Sequence, residues 1–204
     1  ANNYDTCDVV AVPGDSVREK LLELGRAPEE VRVVGDLRFD DLPERVRRFD
    51  PATFKQSLGI TPTDQVVVLV SSDIGPTWTI EKKRHLFQAV HAATRPLAGT
   101  RLLIRAHPNE SRPLLAHHLQ AWGLGDVPVD ARYHLHDVLL ASSVVVMLYS
   151  MTGLEAMLLT RPVVNVTLEG ENVEHYLPYV SGGGALGVTT EAELGDALRR
   201  LVSD

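Results

Sequence analysis

The sequence is short of cysteines, aromatic residues, long apolar runs and basic residues, and these shortages exclude several classes of protein. The single cysteine, Cys7, cannot form a disulfide bond within the chain. Apolar runs such as 144–148 are far shorter than the roughly 18–20 residues of a membrane-spanning helix. The first residues have neither the basic start nor the apolar stretch of a secretory signal, so a cytoplasmic location is the default expectation.

Acidic residues outnumber basic residues by 27 to 20, which gives a formal net charge of −7. Nucleic-acid-binding proteins usually carry a basic patch or stripe. The most basic cluster, 81–84, opens a helical pattern and is interpreted as a solvated face. We therefore expect no nucleic-acid partner. A small anionic ligand is not excluded, because a helix N-terminus binds one without net positive charge.

Hydrophobic residues make up 44 % and charged residues 23 % of the 204 residues, which is typical of a folded domain. The length indicates one large domain, or one domain and a fraction, with room for a full core. The sequence does not start with methionine, and its first residues run into a strand-like pattern. These two features favour a piece of a longer protein or a processed product.

Strand-like and helix-like segments alternate along the chain. Short β-rich or apolar runs predict strands at 8–12, 31–34, 65–71, 101–106, 127–129, 144–148 and 163–166. Helical periodicity predicts helices at 17–24, 51–58, 79–94, 112–122, 133–141, 152–159 and 191–202. Strands separated by helices are typical of βαβ units. The predicted fold is therefore α/β, a Rossmann-like, doubly wound and mainly parallel sheet with helices on both faces.

The charged stretch 36–50 is interpreted as a connecting segment with room for a short helix. It separates residues 1–35, a first βαβ unit or the end of a crossover between domains, from the main domain at 51–204. In open α/β sheets, ligands bind at the carboxyl ends of the strands. The candidate binding loops are therefore 71–77, 107–111, 149–153 and 167–172.

The loop after the predicted strand 144–148 places Ser150, Thr152 and Gly153 where the chain turns into a helix. Backbone N–H groups at a helix N-terminus favour a phosphate or a diphosphate. Glu155 follows within the first turn or so, where its carboxylate could accept hydrogen bonds from two vicinal hydroxyls of a ribose. A purely structural alternative makes Ser150 or Thr152 the N-cap and pairs Glu155 with Thr152 in a capping box.

Two further loops add polar groups to the same edge of the predicted sheet. His107 ends a strand, where an imidazole can donate to a phosphate oxygen or transfer a proton. Pro108 favours an extended conformation of His107. Ser71 and Ser72 end another strand and let a ligand approach the backbone, although such residues more often form turns.

The other histidines, among them His134 and His136, are interpreted as structural, because none pairs with a cysteine or carboxylate at a metal-ligand spacing. The sequence therefore predicts no metal site. The glycine run 182–184 lacks the lysine of a phosphate-binding P-loop. It is interpreted as a mobile connection or as a segment that wraps a ligand.

Several of these segments resemble the nucleotide-binding half of GT-B glycosyltransferases. They are also similar to UDP-N-acetylglucosamine 2-epimerases and to the glycerophosphotransferases of wall-polymer synthesis. The resemblance is carried by residues 139–146, 149–156 and 161–164 and by the His-Pro element at 105–109. Residues 12–14, 25, 33–36 and 39–40 resemble the stretch in which such chains cross from the N-terminal to the C-terminal domain.

The resemblance implies that the chain is a C-terminal nucleotide-sugar-binding domain. Most of the N-terminal acceptor domain of such enzymes is then missing from this sequence. Glu155 then matches the acidic residue that holds the ribose hydroxyls. Ser150, Thr152 and Gly153 match the turn that contacts the phosphates, and His107 matches the histidine near the donor phosphate. Ser71 and Ser72 are additional candidates for nucleotide or phosphate binding.

The implied reaction transfers a glycosyl or related group from a UDP- or CDP-linked donor to an acceptor, without a cofactor. It fits the synthesis of a cell-envelope polysaccharide, in the cytoplasm or peripherally at the inner face of the membrane. The epimerases tend to have a double glycine and a second acidic residue in this turn. This sequence has Met151-Thr152-Gly153 and Ala156 instead, which favours a transferase. A nucleotide-sugar epimerase and a non-catalytic, regulatory nucleotide-binding module are the alternatives. The isolated chain is expected to bind a nucleotide with little or no turnover.

Overall fold

The computed structural model describes residues 7–75, 78–171 and 178–203. The chain forms two compact units, Ala1–Arg48 and Phe49–Asp204. Two of the predicted binding loops end at Thr77 and Asn172, which lie outside the described residues. No helix in the described ranges is long and apolar enough to cross a membrane.

The first unit is built on a small βαβ arrangement. Strands β1 (Val10–Val12) and β2 (Val31–Val33) pair in parallel, and helix α1 (Asp15–Glu23) lies between them in the sequence. Buried Val10, Val12, Leu21 and Val31 form the core of this unit. The stretch interpreted as a connecting segment contains a 3₁₀ turn at Leu37–Phe39 and helix α2 (Leu42–Arg48).

The second unit contains a six-stranded sheet in which every neighbouring pair is parallel. In chain order the strands are β3 (Gln65–Val70), β4 (Thr100–Arg105), β5 (Val129–Asp130), β6 (Val144–Met147), β7 (Val163–Val166) and β8 (Leu186–Val188). Their spatial order is β5-β4-β3-β6-β7-β8. This is the strand order of the Rossmann fold, and the predicted fold class is confirmed.

Helices separate the strands of the second unit along the chain. They are α3 (Pro51–Ser57), α4 (Ile80–Thr94), α5 (Arg112–Ala121), α6 (Leu135–Ala141), α7 (Thr152–Leu158) and α8 (Glu191–Ser203). Central strands such as β3 and β6 are apolar and buried along nearly their whole length, because helices cover both faces of a doubly wound sheet.

The side on which successive strands are added to the sheet changes at β3. Strands β4 and β5 follow on one side of it, whereas β6, β7 and β8 continue on the other side. Such a switch point leaves a crevice outside the carboxyl ends of its two central strands, here β3 and β6. Ligands bind in this crevice in open α/β sheets. The loops that follow β3, β6 and the adjacent β4 are therefore the candidate binding loops of this fold.

Candidate functional site

The loops after β3, β4 and β6 meet at the switch point. The Ser72 hydroxyl donates a long hydrogen bond of 3.5 Å to the carbonyl oxygen of Tyr149. The Ser71 N–H donates to the carbonyl oxygen of Arg105 over 2.9 Å. The buried hydroxyl of Ser71 has no hydrogen-bond partner within the described part of the chain. The predicted serines therefore lie at the carboxyl end of β3, beside the loops after β4 and β6.

Ser150 organises the turn into α7. Its Oγ accepts a hydrogen bond from the Thr152 N–H over 3.1 Å, and its carbonyl oxygen accepts from the Gly153 N–H over 3.1 Å. The helix begins at Thr152, so Thr152 is not its N-cap. These bonds occupy the N–H groups of Thr152 and Gly153, which the sequence pattern had favoured as phosphate contacts. A phosphate at this turn would therefore either contact the Ser150 hydroxyl or replace that hydroxyl as the acceptor of the Thr152 N–H.

Gly153 is required by the close packing of the same turn. A Cβ atom at this position would lie 2.4 Å from Met147 Cε and 3.0 Å from Tyr179 Cε2. Met147 is fully buried, so its side chain has little space into which to move. Burial also raises the pKa of the Tyr179 hydroxyl. Glycine therefore allows α7 to start directly against the sheet.

Glu155 does not form the capping box offered as the structural alternative. Its Oε2 lies 3.0 Å from Nε2 of His136 on α6. The two side chains are 15 % and 6 % exposed, respectively. The capping-box interpretation was wrong because the carboxylate is drawn towards a buried imidazole instead of the N-terminus of α7. Glu155 keeps enough exposed surface for a ligand to reach it.

His136 was interpreted as a structural histidine, and the contact with Glu155 is one that its sequence spacing did not predict. The ring pairs with Glu155, which is 19 positions away in the sequence. The missed signal was periodicity, because Leu139 and Leu140 lie three and four positions after His136 on the same buried side of α6. His134 caps the helix, and its Nδ1 accepts a hydrogen bond from the His136 N–H over 3.3 Å.

His107 lies just beyond the end of β4 and is half-buried. Its N–H donates to Oε2 of Glu110 over 2.7 Å. Its ring Nδ1 accepts a hydrogen bond from the Asn109 N–H over 3.2 Å. Because Nδ1 accepts, a neutral ring carries its proton on Nε2. The loop thus presents an imidazole N–H that can donate to an anionic oxygen.

Lys83 was interpreted as part of a solvated face, but its side chain is only 2 % exposed. Its ammonium forms an ion pair with Oε1 of Glu110 and donates to the carbonyl oxygen of Ser72 over 3.0 Å. The signal lay in its spacing from Leu86, Phe87 and Val90, which form the buried side of α4. Lys83 and Glu110 thus connect the loops that carry Ser72 and His107.

A second ion pair fixes the approach to α6. Arg105, at the end of β4, pairs with Asp130, which is 1 % exposed at the end of β5. Arg105 also donates to the carbonyl oxygen of Tyr133 over 3.0 Å. Asp130 Oδ1 accepts hydrogen bonds from the N–H groups of Arg132 and Tyr133. These contacts hold the segment that leads into the helix carrying His136.

Within residues 7–75, 78–171 and 178–203, no group of three or more His, Cys, Asp or Glu side chains could hold a metal ion. The glycine run 182–184 forms hydrogen-bonded turns. The N–H of Gly182 donates to Pro178 O, and that of Gly184 donates to Tyr179 O. A Cβ at Gly184 would lie 2.5 Å from Met157 Sδ. The run is therefore a hydrogen-bonded turn whose glycines are exposed.

The fold is shared with several solved enzymes. A Listeria monocytogenes protein assigned as a UDP-N-acetylglucosamine 2-epimerase has a TM-score of 0.71 at 18 % identity, covering 97 % of this chain and 51 % of its own. The wall teichoic acid polymerase TagF has a TM-score of 0.66 at 18 % identity, covering 95 % and 48 %. The Methanocaldococcus jannaschii UDP-GlcNAc 2-epimerase, solved with UDP-GlcNAc and UDP, has 0.65 at 13 %, covering 97 % and 55 %.

The chain thus spans about half the length of these structures. At these identities the comparison establishes a shared fold. The resemblance to the epimerase and glycerophosphotransferase group, inferred from the sequence, is confirmed at that level. No protein-family model and no curated protein matches the chain.

Proposed function

We propose that the chain is the nucleotide-sugar-binding half of a GT-B-type enzyme that transfers a glycosyl or related group from a UDP- or CDP-linked donor. One observation carries the proposal. Ser71, Ser72 and Ser150 flank the switch point between β3 and β6, with the partly exposed Glu155 carboxylate just beyond. Hydroxyls from the loops after β3 and β6, together with a carboxylate one turn into α7, suit a phosphorylated ribose.

In the proposed complex, the phosphates lie against the turn of Ser150, Thr152 and Gly153, and Glu155 accepts hydrogen bonds from the ribose hydroxyls. His107 donates from Nε2 to a phosphate oxygen. When the acceptor attacks the donor carbon, negative charge develops on the departing nucleoside diphosphate or monophosphate. The helix N-terminus and the imidazole N–H stabilise that charge, and this step requires no metal ion in principle.

The first unit supports the existence of a further domain in the intact enzyme. Its two-stranded parallel sheet is smaller than sheets that are stable alone, and parallel sheets are normally covered on both faces. Large apolar side chains of the unit are nevertheless exposed, namely Val9, Val17, Leu24, Val33, Val34, Leu37 and Val46. We propose that an acceptor-binding domain covers this surface. Turnover then requires that domain, and closure around the donor excludes water.

The first alternative is a nucleotide-sugar 2-epimerase, because two of the three structures compared above carry that name. Product analysis of the full-length enzyme separates the two activities. An epimerase converts a UDP-sugar without an acceptor, whereas a transferase releases the nucleotide only when an acceptor is present. A non-catalytic, regulatory nucleotide-binding module would bind a nucleotide but show neither reaction.

The direct test is calorimetric titration of the chain with UDP, CMP, CDP, GDP, ADP and dTDP. We expect saturable binding of the nucleotides of one base. The affinity should fall by roughly tenfold or more in Glu155→Ala, because hydrogen bonds to a charged carboxylate are lost. Asp196→Ala, which removes an exposed carboxylate on α8, is the matched control and should leave binding unchanged. Absence of binding to every nucleotide by the folded chain would contradict the proposal.

A further inference from the structure

The pairing of His136 with Glu155 joins an imidazole nitrogen to a carboxylate oxygen. An ionised carboxylate only accepts hydrogen bonds, so the contact of 3.0 Å requires the proton of His136 to be on Nε2. The opposite nitrogen, Nδ1, is buried and has no hydrogen-bond partner among the described residues. Glu155 is therefore the polar anchor of the ring. Its other oxygen, Oε1, makes no hydrogen bond to any described residue.

The imidazole is buried at the start of α6 and packs against a second histidine ring. His136 lies in the first turn of α6, and its N–H is bound by the capping ring of His134. The two rings meet at a centroid distance of 4.9 Å and an angle of 63°. Only 6 % of the His136 side chain is exposed. A donor fixed in this way can restrict the rotamers of the flexible glutamate that it contacts.

We propose that His136 is a positioning residue for nucleotide recognition, which holds Oε2 of Glu155 so that the carboxylate is oriented in advance for the two hydroxyls of a ribose. The inference rests on the proposed function, in which Glu155 binds the ribose. Fixing a glutamate rotamer before binding removes an ordering cost that the ligand would otherwise bear. The imidazole touches neither the ligand nor the reacting atoms, and its effect reaches them through Glu155.

Three substitutions separate this role from simple packing. His136→Phe keeps an aromatic ring and removes the donor. His136→Gln places an amide N–H near the position of Nε2, whereas His136→Asn places its amide near the position of Nδ1. We expect Gln to preserve nucleotide binding, and Phe and Asn to weaken it by about tenfold, because only Gln can still bind Glu155.

The decisive readout compares UDP and CDP with their 2′-deoxy counterparts by calorimetry on the full chain. The wild type should prefer the ribonucleotide, and His136→Phe should lose most of that preference. In a Glu155→Ala background, His136→Phe should add no further loss, because two residues that act through one contact are not additive. Equal weakening of ribo- and deoxynucleotide by His136→Phe would indicate a packing role and would overturn the inference.

The outcomes also separate this inference from the proposed function. If Glu155→Ala weakens UDP or CDP binding but His136→Phe does not, the positioning role is wrong and the nucleotide site stands. If neither nucleotide binds the wild-type chain, the proposed function fails first. If His136→Phe does not fold, the nucleotide affinities of His136→Gln and His136→Asn test the positioning role instead. Independently of ligand, nitrogen NMR of the wild type should show the Nε2–H form of His136, and the Nδ1–H form would contradict the assignment.

Discussion

Lys83 on α4 and Glu110 in the loop after β4 form an ion pair, although they are 27 positions apart in the sequence. Their side chains are only 2 % and 7 % exposed, respectively. The pair extends further through hydrogen bonds. Lys83 also holds the carbonyl oxygen of Ser72, and Glu110 also holds the N–H of His107. One buried pair thus fixes the loops after β3 and β4 relative to each other.

We expect Lys83→Met to destabilise the fold by roughly 3–5 kcal/mol, because it leaves the Glu110 carboxylate buried without its counter-charge. The double variant Lys83→Met/Glu110→Leu should recover much of this loss, since two apolar groups can replace a buried pair. Urea unfolding gives the free energies. Arg199→Met, which breaks the exposed pair of Arg199 with Asp196 on α8, is the control and should cost less than about 1 kcal/mol. Equal costs at Lys83 and Arg199 would contradict the importance of the buried pair.

The packing around Gly153 gives a second prediction. Gly153→Ala should destabilise the chain by roughly 1–3 kcal/mol, because the new Cβ meets buried Met147 and Tyr179. Gly195→Ala, in the middle of α8, has no atom within 4 Å of the new Cβ. That variant should stabilise the chain by about 0.5–1 kcal/mol through helix propensity. Thermal or urea unfolding measures both, and effects of the same sign would refute the steric argument.

The sheet could be predicted because its strands are nearly pure apolar runs. Val66 to Val70 and Val144 to Met147 are buried throughout, and only covered parallel strands require such continuous hydrophobicity. Strand β8 was not predicted, because Leu186-Gly187-Val188 is short and has a glycine at its centre. Its pairing with β7 comes from the tertiary structure rather than from local preference.

The loops of the candidate site could be predicted from topology, but the contacts behind them could not. His107, Ser150 and Glu155 follow strands, and the carboxyl ends of parallel strands lie at one edge. Lys83 and His136 lie on helices far away in the sequence from Glu110 and Glu155. A charged residue in a helical pattern is normally solvated, so only the folded structure identifies these buried partners.

His107 provides a prediction about phosphate recognition. His107→Asn can keep an acceptor for the Asn109 N–H while removing the Nε2 donor. We expect UDP or CDP binding to weaken by roughly tenfold, with binding of the corresponding nucleoside unchanged, because the nucleoside has no phosphate. His107→Gln, which retains a donor near Nε2, should restore much of the affinity. Calorimetry of nucleotide and nucleoside separates these effects.

The exposed histidine His117 on α5 supplies the control, since His117→Asn removes an imidazole away from the strand ends. Its affinities should equal those of the wild type. If His107→Asn weakened the nucleoside as much as the nucleotide, His107 would shape the whole loop rather than contact a phosphate.

His85 links three elements of the second unit through its imidazole. Nδ1 lies 2.5 Å from Glu169, in the loop after β7, and Nε2 lies 2.9 Å from Glu191, at the start of α8. Both nitrogens can donate only when the ring is protonated. Hydrogen bonds to Glu191 and Glu169 raise the pKa of His85 above its ordinary value of 6.5.

This raised pKa predicts how His85 contributes to stability at different pH values. Below the unfolded pKa, the ring is protonated in both states and its stabilisation is complete. As the pH rises through the higher folded pKa, the ring loses its proton and the stabilisation disappears. As the pH rises above about 6.5, the free energy of unfolding should therefore fall more in the wild type than in His85→Gln. His91→Gln, on the same helix, should retain the wild-type fall. An identical pH dependence in His85→Gln and the wild type would show that the two carboxylates do not hold an imidazolium.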